Sequence, residues 1–261
     1  MKPKISVITI TFNCKETVAE AIESVIAQNY SNLEYIVVDG LSTDGTVDII
    51  KNYSQHISRF VSEKDEGISD AFNKGISFAT GDIIGILNAD DVMLPGALDA
   101  MAEAFDGKTD IYRGNIRIWN PKTDNQVREF PSMEFKLMPI NVHVAHPGTF
   151  ITPAAYKKWG VYRKDMRFAM DLELLCRHYR GGAVLKYVPV DVALYRIGGV
   201  TDTPLSIKKT EMKTLIKLNG GSSFLANVYY ARMVVVDIAK RIIVKCFGED
   251  FKRKLRYKRI K

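Results

Sequence analysis

The strongest constraint in this chain is an apolar run that stops on two acids, Ile83-Ile84-Gly85-Ile86-Leu87-Asn88-Ala89-Asp90-Asp91. Gly81-Asp82 precedes it and Leu94-Pro95 follows. A short apolar stretch between turn formers reads as a buried strand. Adjacent carboxylates at the mouth of a strand repel each other and resist desolvation, and a divalent cation or a ligand hydroxyl removes that cost. A turn with two solvated aspartates is the plainer alternative, since Asp is a common turn residue. An earlier element weighs against it. Tyr35-Ile36-Val37-Val38 also ends on an acid, Asp39, before a Gly/Ser/Thr/Asp turn through Thr46. In parallel α/β sheets ligands sit beyond the carboxyl ends of the strands, so Asp39, Asp90 and Asp91 are expected to converge on one crevice. No Gly-x-Gly-x-x-Gly follows the first strand and no Gly-Lys-Ser/Thr follows the glycines, which sets aside dinucleotide and P-loop readings.

The first third alternates strand and helix. Ile5 to Thr11, Leu33 to Val38, Ile57 to Val61 and Ile83 to Leu87 read as strands. Glu16 to Ala27, Thr46 to Tyr53, Ser69 to Ala79 and a segment opened by Pro95 through Phe105 read as helices. Asn13 with Glu16 has the form of a capping box. This alternation predicts a parallel, doubly wound sheet. After residue 108 the pattern changes. Asp110 to Gly114 and Ile116 to Trp119 read as strands split by a bulge or turn, Asn120 to Asn125 as a hairpin loop, and His146 to Ile151 as extended. Asp171 to Arg180 reads as a helix, and Val184 to Val188 and Val192 to Tyr195 as two strands. Met133 to Asn141 fits no single pattern.

Beyond Thr201 the chain reads as helical. Ser206 to Leu218 is broken by Asn219-Gly220-Gly221, and Phe224 to Phe247 is apolar over most of its circumference. Net charge matters here. It is +7, and residues 252–261 carry seven of the positive charges and no negative one, so the rest of the chain is close to neutral. A helix packed on the main domain with a solvated tail is one reading. A peripheral anchor on an anionic membrane, through 224–261, is the other and the one expected. No run of about 18 apolar residues predicts a spanning helix. The N-terminus reads as a strand rather than a signal peptide. Three dispersed cysteines, Cys14, Cys176 and Cys246, without Cys-x-x-Cys, favour reduced thiols and a cytosolic compartment.

Four ordered segments carry a resemblance. They are Ser6-Val7-Ile8-Thr9-Ile10-Thr11-Phe12-Asn13, Val38-Asp39-Gly40-Leu41-Ser42-Thr43-Asp44-Gly45-Thr46, Glu63-Lys64-Asp65-Glu66-Gly67-Ile68-Ser69-Asp70-Ala71-Phe72-Asn73-Lys74-Gly75 and Leu87-Asn88-Ala89-Asp90-Asp91. Over residues 4 to 200 the chain closely resembles the family 2 glycosyltransferases. The resemblance implies the α/β GT-A fold, a Rossmann-like, mostly parallel sheet with flanking helices, here with a C-terminal helical appendage. It divides the chain into 1–203, with a nucleotide-sugar half at 1–107 and an acceptor half at 108–203, and 204–261.

The resemblance also implies roles. Asp39 contacts the nucleotide base, with Thr11 and Asn13 beneath it. Asp90 faces the ribose and Asp91 takes Mn²⁺ or Mg²⁺. Asp65, Gly67, Asp70 and Lys74 belong to the donor site, where Ser69 replaces a common Tyr. Arg196 is a candidate for the diphosphate. In Ala169-Met170-Asp171-Leu172-Glu173, Asp171 is the expected general base, with Glu173 as fallback and helix N-capping as the structural alternative for Asp171. His146 matches a His-x-x-x-Phe strand and is expected to support the acceptor site or the residues around it. The implied activity is metal-dependent, inverting sugar transfer from a nucleotide sugar, UDP-linked by expectation, to a lipid-linked or polysaccharide acceptor at the cytoplasmic membrane face. Two alternatives differ in class. A sugar-nucleotide nucleotidyltransferase needs a Gly-rich basic loop that Thr11-Phe12-Asn13-Cys14 does not supply. A nucleic-acid-binding protein has to rely on a tail whose only aromatic is Tyr257, beside an acidic crevice that repels polyanions.

Overall fold

The computed structural model describes residues 2–121, 124–135, 144, 146–196 and 205–232, with scattered positions from 234 to 246. The chain divides into two compact units, Met1–Pro204 and Leu205–Lys261.

The first unit is built on one nine-stranded sheet. β1 (Ile5–Thr11), β2 (Leu33–Asp39), β3 (Arg59–Ser62) and β4 (Ile83–Asn88) are parallel, in the order β3-β2-β1-β4. Between them run α1 (Val18–Ile26), α2 (Thr46–Lys51) and α3 (Ile68–Phe78). Beyond β4 the sheet turns mixed. β8 (Thr149–Ile151) pairs antiparallel with β4 and with β6 (Ile111–Asn120). β6 pairs parallel with β9 (Leu185–Arg196), and β9 antiparallel with β5 (Val92–Met93). β7 (Asn125–Glu129) forms a hairpin with β6. The helices α4 (Ala97–Ala104), α5 (Pro153–Trp159) and α6 (Met170–Arg180) complete the layers.

Strand alternation sorts the core onto two faces. Ile5, Val7, Tyr35, Val37, Ile83, Leu87, Tyr112 and Phe150 pack with Val18, Ile22 and Val25 of α1 and with Leu98 and Met101 of α4. Ile8, Ile36, Ile84, Ile86, Ile111 and Ile151 pack with Phe72 and Ile76 of α3 and with the buried sides of α5 and α6. Gly85 is required between them, because a Cβ there would stand 2.4 Å from the Phe150 ring.

Several elements depart from the sequence reading. Asn13 does not form a capping box. Its φ is +49° and its Oδ1 accepts from the Thr43 N–H at 2.9 Å, so it braces the loop after β2. Pro95 lies outside α4, because residues 92–94 are drawn into pairing with β9, where the Leu94 N–H donates to Val192 O at 2.8 Å. The two strands expected at 184–195 are one strand, and the pair expected at 110–119 is one strand with a bulge. Pro189 sits where the ladder jumps from Arg113–Tyr187 to Asn115–Asp191, so no ladder hydrogen bond is lost to it. His146–Gly148 is a single 3-10 turn leading into β8 rather than extended chain. Residues 122–123, 136–143, 145, 197–204 and the tail from 247 lie outside the described residues, and with them part of the Met133–Asn141 segment and the basic run 252–261.

In the second unit α7 (Leu205–Leu218) is followed by a turn at Gly220, whose φ is +79°. The described residues from 223 onward are helical. No described helix is long and apolar enough to cross a membrane.

At the end of the sheet away from the acidic turns, Glu34 clamps three strands. Its carboxylate accepts from Lys4 Nζ at 2.7 Å, Ser6 Oγ at 2.6 Å, and the Thr80 N–H and Oγ1 at 2.7 and 2.6 Å. Burial opposes its ionisation, but the bonds from Lys4, Ser6 and Thr80 outweigh burial and hold its pKa at about 2. A folded pKa below the unfolded value gives stability that is complete above about pH 4.3 and fades as pH falls toward the folded value. Glu34→Gln is therefore expected to lose about 2 kcal/mol at pH 7 and much less at pH 3. Urea unfolding at both pH values checks this, and an equal loss at each would contradict it.

Candidate active site

β1, β2 and β4 run parallel, so their carboxyl ends deliver Thr11, Asp39 and Asn88 to one edge. The turn after β4 then places Asp90 and Asp91. β8 runs the other way along β4, pairing Phe150 with Gly85, and this register carries His146 back to the neighbourhood of Ala89. β9 ends beside Asp91 through its pairing with β5. Residues far apart in sequence therefore meet at one crevice.

Asp39 is fully buried and its carboxylate is saturated. Oδ1 accepts from Thr11 Oγ1 at 2.8 Å and from Ser42 Oγ. Oδ2 accepts from the Ser42 N–H at 3.0 Å and from Ser62 Oγ at 2.7 Å. It builds the loop, and a base N–H can be accepted only in place of one of these donors. Leu41 in that loop has a φ of +64° and, like Phe12, is exposed. Gly40 lies against both Phe12 and Asp65: a Cβ on it would stand 2.4 Å from Asp65 Oδ2 and 3.3 Å from the Phe12 ring. Asp65 Oδ1 in turn accepts from the Gly67 N–H at 2.9 Å, and Gly67 starts α3 with a φ of +116° that favours glycine.

Asp91 carries the sharpest electrostatic signature. It is 1% exposed. Its Oδ1 accepts from the Arg196 backbone N–H at 3.0 Å, while Oδ2 is buried with no partner among the described residues. Burial, then the charge of Asp90, pushes its pKa up to about 7. Asn88 Oδ1 is also buried and unpartnered among them. A hard cation wants such oxygens, so the site fits Mn²⁺ or Mg²⁺. No group of three or more His, Cys, Asp or Glu converges among the described residues, so a cation here would share one carboxylate with ligand phosphates rather than sit in a protein cage.

The base candidate lies across the crevice. Asp171 is the second residue of α6, whose N-cap position is held by Ala169. Its Oδ2 is 3.1 Å from His146 Nδ1, and its Oδ1 is buried without a partner among the described residues. Burial draws the His146 pKa down, but Asp171, and further off Asp91 and Asp90, more than compensate and raise it. Buried Arg113 stands near enough for Asp171 to counter the effect of its burial, which lowers its pKa to about 10.

Three expected residues are held elsewhere. Lys74 Nζ donates to Lys64 O at 2.7 Å and pairs with Glu63 at 2.9 Å and Asp70 at 3.5 Å. Glu173 is locked by Arg177 at 2.9 and 3.0 Å, which removes it as a fallback base. The Arg196 guanidinium bonds Asp90 O and Glu20 and stacks on Trp119, so it frames the acidic turn rather than opening toward a diphosphate. Asp70 is buried, tied to Lys164 at 2.6 Å and bonded to the Glu66 N–H. Ser69 donates to Met166 O at 3.0 Å, which packs α3 against the 166–170 segment in place of an aromatic contact. The structure adds two residues to those the motifs single out, Asn88 with its buried Oδ1 and the buried Arg113, whose local sign is a lone cation between Tyr112 and Gly114 in a strand.

The comparisons agree with this architecture. The sequence model described as Glycosyl transferase family 2 matches residues 6–166. The Bacillus subtilis (strain 168) protein named "Putative glycosyltransferase EpsE" is 31% identical over 205 residues, covering 75% of this chain and 73% of that protein. Among solved structures, Staphylococcus aureus TarS 1-349 in complex with UDP-GlcNAc superposes with a TM-score of 0.67 at 17% identity, over 88% of this chain and 71% of that one. The mannosyltransferase PcManGT of Pyrobaculum calidifontis, in complex with GDP-Man and Mn²⁺, gives 0.64 at 16% identity, over 94% and 76%. The fold is that of a GT-A transferase. The chain belongs to glycosyltransferase family 2, and it is a glycosyltransferase.

The raised pKa of Asp91 makes a stability prediction. The folded protein holds a proton that the unfolded chain releases near pH 4, so stability falls as pH rises from about 4 to 7 and the cost is complete above that. Asp91→Asn removes the cost. In metal-free buffer at pH 8 it is expected to be more stable than the parent by about 2–4 kcal/mol, a gain that disappears below pH 4. Denaturant melts across this range test it, and a destabilised variant at pH 8 would contradict the assignment.

Proposed function

We propose that this glycosyltransferase is a metal-dependent, inverting enzyme. It moves a sugar from a nucleoside-diphosphate sugar, UDP-linked, to a hydroxyl of a lipid-linked or polysaccharide acceptor. The observation that carries the reading is the pair of buried carboxylate oxygens without a partner among the described residues, Asp91 Oδ2 and Asp171 Oδ1, whose carboxylates both act on the His146 imidazole. The TarS and PcManGT complexes with UDP-GlcNAc and with GDP-Man and Mn²⁺ support it by their likeness in fold. A bound cation supplies charge that stabilises the departing diphosphate. Asp91 would hold that cation, with the Arg196 N–H fixing the orientation of the carboxylate. Phe12, Leu41, Gly40 and Asp65 line the place of the nucleoside, with Asp39, Thr11 and Asn13 shaping it from beneath. Asp171 Oδ1 takes the proton of the acceptor hydroxyl as its oxygen bonds to the anomeric carbon, and the bond from that carbon to the phosphate oxygen breaks.

Calorimetric titration of UDP tests the donor site. Binding is expected with Mn²⁺ or Mg²⁺, and to weaken at least about tenfold with EDTA or in Asp91→Ala. Binding indifferent to both would overturn the metal assignment, and GDP preferred over UDP would overturn the base. Asp171→Asn is expected to bind UDP normally and to lose transfer by about 10²–10⁴-fold.

The enzyme works at the inner membrane face, held there by its second unit. Phe224, Val228, Val235, Ile238 and Ile242 are exposed, and their spacings of four, seven, three and four residues put them on one helical face. The seven cations of residues 252–261 complement anionic headgroups. Full-length protein is expected to float with vesicles containing phosphatidylglycerol and not with pure phosphatidylcholine, and Val235→Asp with Ile242→Asp to remain in solution. Equal flotation of this variant would contradict the insertion face.

A further inference from the structure

The contact between Asp171 and His146 has a role that the base assignment alone does not supply. A carboxylate at the start of a helix ordinarily bonds the free N–H groups of the first turn. In α6 no side chain caps the helix, and Asp171 Oδ2 instead lies 3.1 Å from His146 Nδ1. His146 is well placed to hold it. The antiparallel register of β8 on β4 fixes the histidine beside the turn that carries Asp90 and Asp91, and the Phe72 ring of α3 packs on the imidazole with centroids 5.3 Å apart. The residue is 9% exposed, so the ring has little freedom to turn.

The chemistry of the pair defines its protonation. An ionised carboxylate only accepts, so Nδ1 carries the proton and donates to Oδ2. One carboxylate oxygen is thereby tied down. The other, Oδ1, is buried and makes no well-formed hydrogen bond among the described residues, although the buried Tyr162 phenol lies close enough to feel the carboxylate.

We propose that His146 is a positioning residue for the proton-accepting carboxylate. Its Nδ1–H holds Asp171 Oδ2, so that Oδ1 faces the acceptor hydroxyl, and it ties that geometry to the strand bearing the donor-site acids. This rests on Asp171 being the base. The contact joins a helix of the acceptor half to β4 of the donor half through one imidazole, so the distance between proton acceptor and donor sugar is set by β8 rather than by the loop before α6.

Two measurements on the full-length protein test it. The first is the tautomer of His146, read by long-range ¹H–¹⁵N correlation. The chain has four histidines, and His146→Asn identifies the signal. The Nδ1–H form is expected, shifting toward Nε2–H in Asp171→Ala. A signal indifferent to Asp171→Ala overturns the pair. The second is UDP release with water as acceptor, from UDP-glucose or UDP-N-acetylglucosamine, under saturating Mn²⁺. His146→Leu is expected to lower kcat about 10–100-fold with donor KM and UDP affinity unchanged. His146→Asn, which keeps an N–H donor near the Nδ1 position, recovers most of the rate. His146→Leu with Asp171→Asn is expected to be no slower than Asp171→Asn alone. A His146→Leu effect confined to donor KM, or losses that multiply in the double variant, overturns the positioning role. Full activity in Asp171→Asn refutes the base reading itself. Loss of activity there with a fully active His146→Leu refutes only the proposal made here.

Discussion

Holding a carboxylate oxygen in the interior with nothing to bond is expensive, and much of this protein is arranged around doing so. Asp91 is kept 1% exposed by a turn that closes on Asn88 O and by a strand end, β9, that donates to one of its oxygens and leaves the other bare. Asp90 beside it raises the cost further. The fold carries this strain because the sheet below is well fastened. Glu34 clamps the far ends of the parallel strands, and both faces are packed with alternating aliphatics. Stability is concentrated away from the crevice and given up within it, as is common where ligand charge completes a site.

The two sides of the crevice come from different parts of the sheet. The parallel strands β1, β2 and β4 supply Asp39 and the acidic turn, where the local loops are braced by Asn13, Ser42 and Ser62. The mixed part supplies Asp171, and its approach to that turn through His146 depends on β8. That strand has only three residues, yet it pairs on both edges, with β4 and with β6. A short strand in so central a position works as a ruler: a one-residue slip would turn Phe150 away from Gly85 and move His146 off Asp171.

Much of this was legible in the sequence where the signal was local. Short β-branched and aliphatic runs closed by turn residues place β1, β2 and β4 within a residue, and the order of four motifs gives the family. What sequence could not show depends on partners far along the chain. β5 is two residues long and exists because Val92 and Met93 meet Leu194 and Ala193. β9 is one strand where the sequence predicts two, because the bulge opposite Gly114 takes up Pro189 without the loss of a ladder bond. α5 carries its own local sign, Thr152 capping the Ala155 N–H beside Pro153 at the first helical position. Lys74 and Glu173 fit their motif positions but are bound to Glu63 and Arg177, an outcome fixed by ion pairing in three dimensions. Asp171 was weighed against an N-cap role that its histidine partner takes away.

The most direct test of the account is a crystal structure of the protein with UDP and Mn²⁺. The account predicts the metal at about 2.1 Å from Asp91 Oδ2, with the diphosphate as its other anionic ligand and the uridine between Phe12 and Asp65. A diphosphate bound away from the Asp90-Asp91 turn, or a metal that leaves Asp91 unligated, would contradict it.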